Sequence, residues 1–212
     1  MAPVDRACFR TQVPFYYRLK VVAADGSNLM GDNMKIIQTE VAGIYIIEQS
    51  VFKDRRGAFV KTFQASAFTK MKLECRFTEN YYTKSREDVI RGMHFQAPPH
   101  DHAKLVTVIQ GTVIDVILDI RISSPTYGKY LAIELSRENR KSIYIARGLA
   151  HGFGTLSDTA IAYYMATSEY SPTHDMGIRY DSFGYEWPIQ MPILSDRDLS
   201  FPCFIDFATP FE

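Results

Sequence analysis

The sequence is poor in cysteine, and its few cysteines do not form a recognisable site. Cys8, Cys75 and Cys203 are widely separated and include no Cys-x-x-Cys pair. An odd, scattered set of this kind argues against a disulfide framework and against a thiolate zinc site. Reduced thiols without a chemical role are the simplest interpretation, and they place the protein in the cytoplasm.

The chain also lacks an excess of charge and a long apolar run. Its 24 basic and 24 acidic residues give a formal net charge of +0, so there is no basic field for nucleic acid and no cationic face for a membrane. No apolar run approaches the roughly 20 residues that a membrane-spanning helix needs. Arg6, Arg10, Arg18 and Lys20 interrupt any signal-peptide core near the start. We therefore predict no nucleic-acid partner and no membrane partner.

Helical periodicity is scarce outside Ala65–Leu73, whereas short runs rich in Val, Ile, Tyr and Thr recur between Gly-centred turns. The predicted strands are Lys35–Thr39, Ile44–Ile47, Ala58–Phe63, Tyr81–Thr83, Lys104–Ile109, Thr112–Ile120, Lys129–Leu135, Ser142–Ile145 and Ala160–Ala166. Many short strands with little helix predict an all-β fold, a jelly roll or barrel of the cupin type. Residues 1–33 differ in pattern, so we predict an N-terminal extension there and one cupin-fold domain over residues 34–212.

The chemically most informative segment is Arg91-Gly92-Met93-His94-Phe95-Gln96, together with Lys104 downstream. An imidazole titrates near neutral pH, so His94 is a candidate proton acceptor. An ammonium beside it can hold the negative charge that proton removal creates. If these side chains share a cavity, the pattern predicts carbanion or enolate chemistry on an anionic substrate.

Three further residue types complete such a site. His151, in Ala150-His151-Gly152-Phe153, offers a second imidazole. Tyr164 and Tyr170, predicted on one strand, can deliver a proton from the face opposite the base. Asp198 can orient an imidazole as in a His–Asp dyad. A strand tyrosine can equally serve core packing, and a lone aspartate a surface turn.

A metal site is the first alternative, because His100-Asp101-His102 and a later His151 resemble the ligand pattern of metal cupins. The residues after His102 contain no carboxylate, however, and Lys104 would place a positive charge beside the cation. We therefore predict no metal and no other cofactor. A metal-dependent dioxygenase or isomerase and a catalytically silent sugar-nucleotide-binding cupin remain as alternatives.

Taken together, these motifs resemble the dTDP-4-dehydrorhamnose 3,5-epimerase family from about Met34 to Pro202. The segments that carry the resemblance are Phe52-x-Asp54-x-Arg56-Gly57, Arg91–Gln96, Lys104-Leu105-Val106, Asp115-Val116, Asp119-Ile120-Arg121-x-Ser123-x-Pro125-Thr126-x-Gly128, Ala150–Phe153, Tyr164, Tyr170-Ser171-Pro172, Trp187-Pro188 and Leu194-Ser195-x-x-Asp198.

The resemblance implies a cupin-fold homodimer without a cofactor that acts on a nucleoside-diphosphate 4-keto-6-deoxyhexose for cell-surface polysaccharide synthesis. It implies four catalytic roles: His94 as base, Asp198 as its dyad partner, Lys104 as enolate stabiliser and Tyr164 as acid. The predicted substrate-binding residues are Arg56, Lys61, Glu79, Tyr81, Arg91, Gln96, His151, Glu169 and Tyr170. Arg56 and Lys61 would reach the site from the neighbouring subunit.

The chain departs from the family pattern where the family recognises the nucleotide base. Lys61 stands in place of a glutamate that accepts the thymine N3–H, and Glu169 in place of a stacking aromatic. A Gln-x-Asn pair has become Glu79-Asn80-Tyr81. Because a lysine only donates, Lys61 suits the acceptors of cytosine better than thymine N3–H. We therefore predict a CDP-linked substrate, with a dTDP-linked one as the alternative.

Overall fold

The part of the chain that this computed structural model describes, residues 34–212, contains thirteen strands, two short α-helices and a 3₁₀ helix at Phe204–Asp206. The predicted extension, residues 1–33, lies outside the described residues. The strands are β1 Lys35–Gln38, β2 Ile44–Glu48, β3 Ser50–Asp54, β4 Gly57–Lys61, β5 Glu79–Arg86, β6 Ile90–Gln96, β7 Lys104–Gln110, β8 Thr112–Asp119, β9 Tyr130–Ser136, β10 Lys141–Ile145, β11 Leu149–Thr155, β12 Thr159–Ala166 and β13 Asp175–Gly177. The helices are α1 Ala65–Lys70 and α2 Asp196–Ser200.

Two antiparallel sheets contain most of these strands. The six-stranded sheet has the order β1-β2-β10-β7-β12-β5, and the five-stranded sheet has the order β13-β6-β11-β8-β9. From β5 to β13 the chain changes sheet at every step except the β8–β9 hairpin. This alternation produces a jelly-roll sandwich, the fold class that the sequence predicts.

The core between the two sheets is built by alternate residues of the facing strands. Val106 and Ala162 come from the six-stranded sheet, and Ile117 and Phe153 come from the other. The outer face of the five-stranded sheet is covered by apolar side chains of residues 178–211, and that of the six-stranded sheet by residues 63–77. Central strands are therefore buried on both faces, which explains why β8 has apolar residues on both sides of the sheet.

Polar side chains interrupt this core at one end of the sandwich. Lys104, Asp115, His151 and Tyr164 are all buried. Lys104 and Tyr164 share the inner face with Val106 and Ala162, because residues two apart on a strand point to the same side. Buried polar groups gathered among apolar ones mark this end as the candidate site.

Strands β3 and β4 form a separate two-stranded sheet. Its aromatic residues are poorly covered, with Phe52 40% exposed and Phe59 63% exposed. At its turn, the Arg56 guanidinium lies 2.6 Å from the Asp54 carboxylate. Within residues 34–212, neither helix is long and apolar enough to cross a membrane.

Candidate active site

A β-bulge in β6 turns both Arg91 and His94 toward the interior. Residues three apart on a regular strand point to opposite faces. Here Arg91 lies opposite Phe153 and His94 opposite His151, so three steps on β6 match two steps on β11. The extra residue changes the alternation, and both side chains share the inner face with Phe153.

Gly92 makes this bulge possible. Its φ is +128°, a value that side-chain-bearing residues rarely adopt, and a Cβ added there would lie 2.5 Å from the Cα of Gly152. The two backbones therefore approach more closely than any other residue at position 92 allows. This explains why the glycine precedes the histidine in the motif that the sequence singles out.

His94 is held by a buried carboxylate. Its Nε2 lies 2.8 Å from Asp198 Oδ1, and the Gly92 N–H donates to Asp198 Oδ2 at 3.1 Å. Burial acts to raise the pKa of Asp198, but the hydrogen bond and charge of His94 and the Gly92 N–H outweigh it, so the pKa is lowered. An ionised carboxylate only accepts hydrogen bonds. Asp198 therefore fixes the imidazole so that its opposite ring nitrogen is left as a proton acceptor.

Helix α2 brings Asp198 into place. Ser195 is the N-cap of this helix, and its side-chain oxygen accepts a hydrogen bond from the Asp198 N–H at 3.1 Å. The cap stabilises the first turn, which carries the carboxylate into the protein interior. Asp198 is thus a buried helical residue rather than part of a surface turn.

Lys104 lies at the start of β7 on the wall opposite His94. Burial lowers the pKa of Lys104 from 10.5 to about 8, although the charges of Asp175 and Asp115 act in the opposite direction. Lys104 is buried, with the charges of Asp175 and Asp115 near enough to act on its ammonium group. A buried cation of this kind is suited to a negative charge that arises on a bound substrate.

Tyr164 occupies the same wall as Lys104. It is 4% exposed, and burial, followed by the charge of Asp115 and the nearby Tyr81, raises its pKa well above the usual value. The phenol therefore keeps its proton at neutral pH. Because His94 and Tyr164 belong to facing sheets, an imidazole and a protonated phenol stand on opposite walls of one site.

His151 lies beside His94, since the two residues are paired across β11 and β6. Its Nε2 is 2.9 Å from Asp115 Oδ2. Burial raises the pKa of Asp115, against the charge and hydrogen bond of His151 and the charge of Lys104. A second His–Asp pair therefore lies next to His94, near enough to Lys104 for its charge to act on Asp115.

The remaining predicted substrate-binding residues of the sandwich line its open end or the loops around it. Arg91 donates from Nε to Ser85 Oγ at 3.0 Å. Glu79 and Tyr81 alternate with Asn80 on the edge strand β5, so they share one face of it. Glu169 and Tyr170 are exposed and follow β12, which ends at Ala166; the prediction that Tyr170 lies on the same strand as Tyr164 is therefore wrong.

The side-chain amide of Gln96 is bonded to protein groups, and not directed to the open site as expected of a substrate-binding residue. Its amide nitrogen donates to the carbonyls of His100 and Glu169 at 2.7 and 3.2 Å, and its oxygen accepts from the Ser171 N–H at 2.6 Å. Both ends of the amide are therefore engaged with the loops beside the site. This arrangement lets Gln96 fix those loops.

Two residues of the site, Asp175 and Arg197, have no role in the sequence prediction. Asp175, on β13, forms an ion pair with Arg197 of α2 at 2.7 Å, and its charge acts on the pKa values of Lys104, Tyr81 and Tyr170. The position of Arg197 directly before Asp198 was a usable signal. No comparable sequence signal identifies Asp175, because the alternation of a three-residue strand is too short to recognise.

The hairpin residues and the histidine pair lie apart from this cluster. Arg56 and Lys61 belong to the separate β3–β4 sheet. The rings of His100 and His174 lie with their centres 4.3 Å apart and their planes inclined by 36°, and His102 Nδ1 is 3.1 Å from the Gln96 amide nitrogen. Within residues 34–212, no three His, Cys, Asp or Glu side chains are grouped so that they could hold a metal ion.

Comparison with known proteins gives a consistent result. A family model described as dTDP-4-dehydrorhamnose 3,5-epimerase matches residues 38–206. The enzyme of that name from Shigella flexneri is 40% identical over 176 residues, which cover 82% of this chain and 97% of the relative. The one from Methanothermobacter thermautotrophicus is 41% identical over 169 residues, which cover 77% of this chain and 91% of the relative.

A solved structure extends the similarity to three dimensions. The dTDP-6-deoxy-D-glucose-3,5-epimerase of Legionella pneumophila, in complex with dTDP-4-keto-L-rhamnose, superposes with a TM-score of 0.79 at 34% sequence identity. The match covers 83% of this chain and 95% of that structure. Sequence and fold thus point to the same group of proteins.

Proposed function

Because the chain belongs to the dTDP-4-dehydrorhamnose 3,5-epimerase family, whose members are isomerases of nucleotide sugars, we propose that it inverts C3, C5 or both in a nucleoside-diphosphate 4-keto-6-deoxyhexose. The observation that carries this proposal is the opposition of His94 and Tyr164 on facing sheets, with Lys104 beside Tyr164. A binding protein has no need of a base and an acid on opposite walls. We expect a cytoplasmic enzyme that prepares a sugar for cell-surface polysaccharide.

The C4 ketone of such a sugar makes the protons on C3 and C5 acidic. His94 removes one of them as general base, and Asp198 stabilises the imidazolium that forms. The negative charge moves to the C4 oxygen, where the Lys104 ammonium stabilises the enolate. Tyr164 then donates its proton to the carbon from the other side, which inverts the centre. His151 and Arg91 hold the sugar and the diphosphate.

For the nucleotide we propose dTDP. The relatives described above are named for dTDP sugars, and they give no support to the CDP-linked substrate that the sequence predicts. That prediction depended on the Lys61 ammonium facing the base in the neighbouring subunit. Lys61 is a half-buried residue of the separate hairpin sheet, and a position near the partner's nucleotide does not by itself set its ammonium against the base. Its donor-only chemistry therefore gives no sufficient reason to prefer cytosine.

For the assembly we propose a homodimer in which the β3–β4 hairpin covers the partner's site. Phe52 and Phe59 form an exposed aromatic pair with ring centres 6.1 Å apart. Aromatic surface of this kind is typical of the buried part of an interface. The docked hairpin would bring Arg56 and Lys61 to the neighbouring nucleotide, since both belong to the β3–β4 sheet and not to the sandwich that carries His94.

One titration series tests the nucleotide and the hairpin together. We expect calorimetry to show dTDP binding at least about tenfold tighter than CDP, a difference of about 1.4 kcal/mol. Phe59→Asp should convert the dimer to a monomer in light scattering and weaken dTDP binding, because the partner's hairpin is lost. Ile205→Asp, which changes an apolar residue that is 81% exposed outside the hairpin, serves as the control. Tighter CDP binding would overturn the dTDP proposal, and an unchanged dimer would remove the hairpin from the interface.

The activity itself is tested by NMR of dTDP-4-keto-6-deoxyglucose in deuterated water. The enzyme should exchange the proton at C3, C5 or both and release sugar inverted at an exchanged carbon. The signals identify the carbon and the stereochemistry at the same time. A chain that binds the nucleotide sugar but exchanges neither proton is a silent binding protein, and this result would refute the proposed function.

The rate of exchange should also depend on the charge of Lys104. Burial lowers the pKa of Lys104 to about 8, so the ammonium is present below this pH and is lost as the pH rises through it. We expect kcat/KM to fall above about pH 8. In Lys104→Arg the cation does not titrate in this range, so the variant should be slower at neutral pH but lack that fall. The same alkaline limb in both proteins would assign it to another group.

A further inference from the structure

Tyr81 packs against Tyr164, and the two proposed proton transfers assign Tyr81 no part. The two residues lie directly opposite each other on β5 and β12. Their rings are stacked, with centres 4.8 Å apart and planes inclined by 13°. Within residues 34–212, β5 is the edge strand of its sheet, so among these residues Tyr81 is the last strand residue on that side of Tyr164.

The stack limits the positions that the Tyr164 ring can adopt. One flank of Tyr164 is occupied by Val106 of β7 and the other by Tyr81 of β5, while His151 approaches its ring edge-on at 6.1 Å. A ring enclosed in this way cannot swing sideways without breaking the stack. The direction of the Tyr164 hydroxyl is therefore fixed by a side chain that is itself 38% exposed at the mouth of the site.

The hydroxyl of Tyr81 keeps its proton as well. Burial, with the charges of Glu79 and Asp175, raises the pKa of Tyr81 to about 12. The stack is therefore a contact between two neutral phenols over the working pH range. Its effect on Tyr164 comes from the position of the ring and does not change with ionisation.

We propose that Tyr81 is a positioning residue that holds the Tyr164 hydroxyl in line with the carbon to be reprotonated. The inference rests on the proposed function, since it concerns the second of its two proton transfers. C3 and C5 lie on either side of C4, so one hydroxyl meets them from different directions. The orientation of the stack then determines how often the enolate at each carbon is inverted before His94 returns a proton to the original face.

The measurable quantity is the inversion yield, the fraction of exchange events at a carbon that end in inversion. Loss of the Tyr81 ring should lower the inversion yield whatever its effect on substrate binding, because the yield divides inversion by the exchange that His94 produces. A general loss of structure would lower exchange and inversion together and leave the yield constant. The yield therefore separates positioning from a merely structural role.

We expect Tyr81→Ala to lower the inversion yield at one or both carbons on the order of tenfold, because small misplacements of a reacting group have effects of this size. Tyr81→Phe keeps the ring and should keep the wild-type yield. Tyr81→Leu fills the space without a planar ring, so it should repeat the loss if Tyr81→Ala folds poorly. Tyr82→Ala, at the exposed adjacent position on the other face of β5, should retain the wild-type yield.

The outcomes separate the two claims. Normal exchange with an unchanged yield in Tyr81→Ala and Tyr81→Leu would overturn the positioning role alone. An equal loss in Tyr81→Phe would also overturn it, because the hydroxyl and not the stacked ring would then be the cause. No exchange in the wild-type enzyme would overturn the proposed function and the role of Tyr81 with it.

Discussion

Replacement of His94 by asparagine is expected to lower both proton exchange and epimerisation by about three orders of magnitude, since a positioned general base contributes roughly 10²- to 10⁴-fold. The asparagine amide is shorter than the imidazole and ends near the position of Nδ1, short of Nε2, which lies 2.8 Å from Asp198 Oδ1. It cannot accept a proton from carbon. NMR in deuterated water measures exchange and inversion at the same time, and calorimetry should find dTDP affinity nearly unchanged.

The same substitution at an exposed histidine is the matched control. His100 is exposed and contacts the ring of His174 outside the cluster, so His100→Asn should leave exchange close to the wild-type rate. If His94→Asn keeps exchange within about tenfold of wild type, less than the contribution of a general base, His94 is not the base. His151 on the neighbouring strand would then be the next candidate.

The sequence predicted the fold class because most strands carry their own signal. Runs such as Lys104–Ile109 and Thr112–Ile120 are rich in β-branched residues and correspond closely to β7 and β8. Strands β6 and β11 were not predicted as strands. They contain Gly92, Gly152 and other residues of low strand propensity, and close approach of their two backbones determines their conformation.

The types of residue in the site were predictable from the sequence, whereas the contacts between them are visible only in the folded structure. His94 and Asp198 were paired through the family resemblance, and the structure places them in contact. The ion pair of Asp175 with Arg197 and the stack of Tyr81 on Tyr164 were not predictable. Each depends on which strands become neighbours and in which register, and residue spacing along the chain does not contain this information.

Lys61 shows the limit of hydrogen-bond complementarity as an argument from sequence. A lysine ammonium donates and does not accept wherever its side chain lies. The step to a CDP sugar required the side chain to face the base. In the described chain Lys61 lies on a hairpin outside the two main sheets. The surroundings of a residue on such a hairpin depend on the surface against which the hairpin packs.

Removal of the Tyr164 hydroxyl should separate the two proton transfers. In Tyr164→Phe, His94 still removes the proton and the enolate still forms, but no acid stands on the opposite wall. The imidazolium then returns a deuteron to the original face, so the substrate becomes deuterated without inversion. We expect epimerisation to fall by roughly 10²- to 10³-fold, the contribution of one general acid. Exchange should stay within about tenfold of wild type when both are measured by NMR.

Tyr163→Phe is the matched control, because Tyr163 is adjacent on β12 and points to the other face of the sheet. It should leave exchange and inversion at wild-type rates. If exchange and inversion fall together in Tyr164→Phe, Tyr164 acts before the enolate forms and cannot be the acid alone. If inversion persists, another group protonates the carbon, and Tyr81 is then the first candidate because its neutral phenol stacks directly on Tyr164. Persistent inversion in the double variant Tyr81→Phe/Tyr164→Phe would exclude both tyrosines as the proton donor.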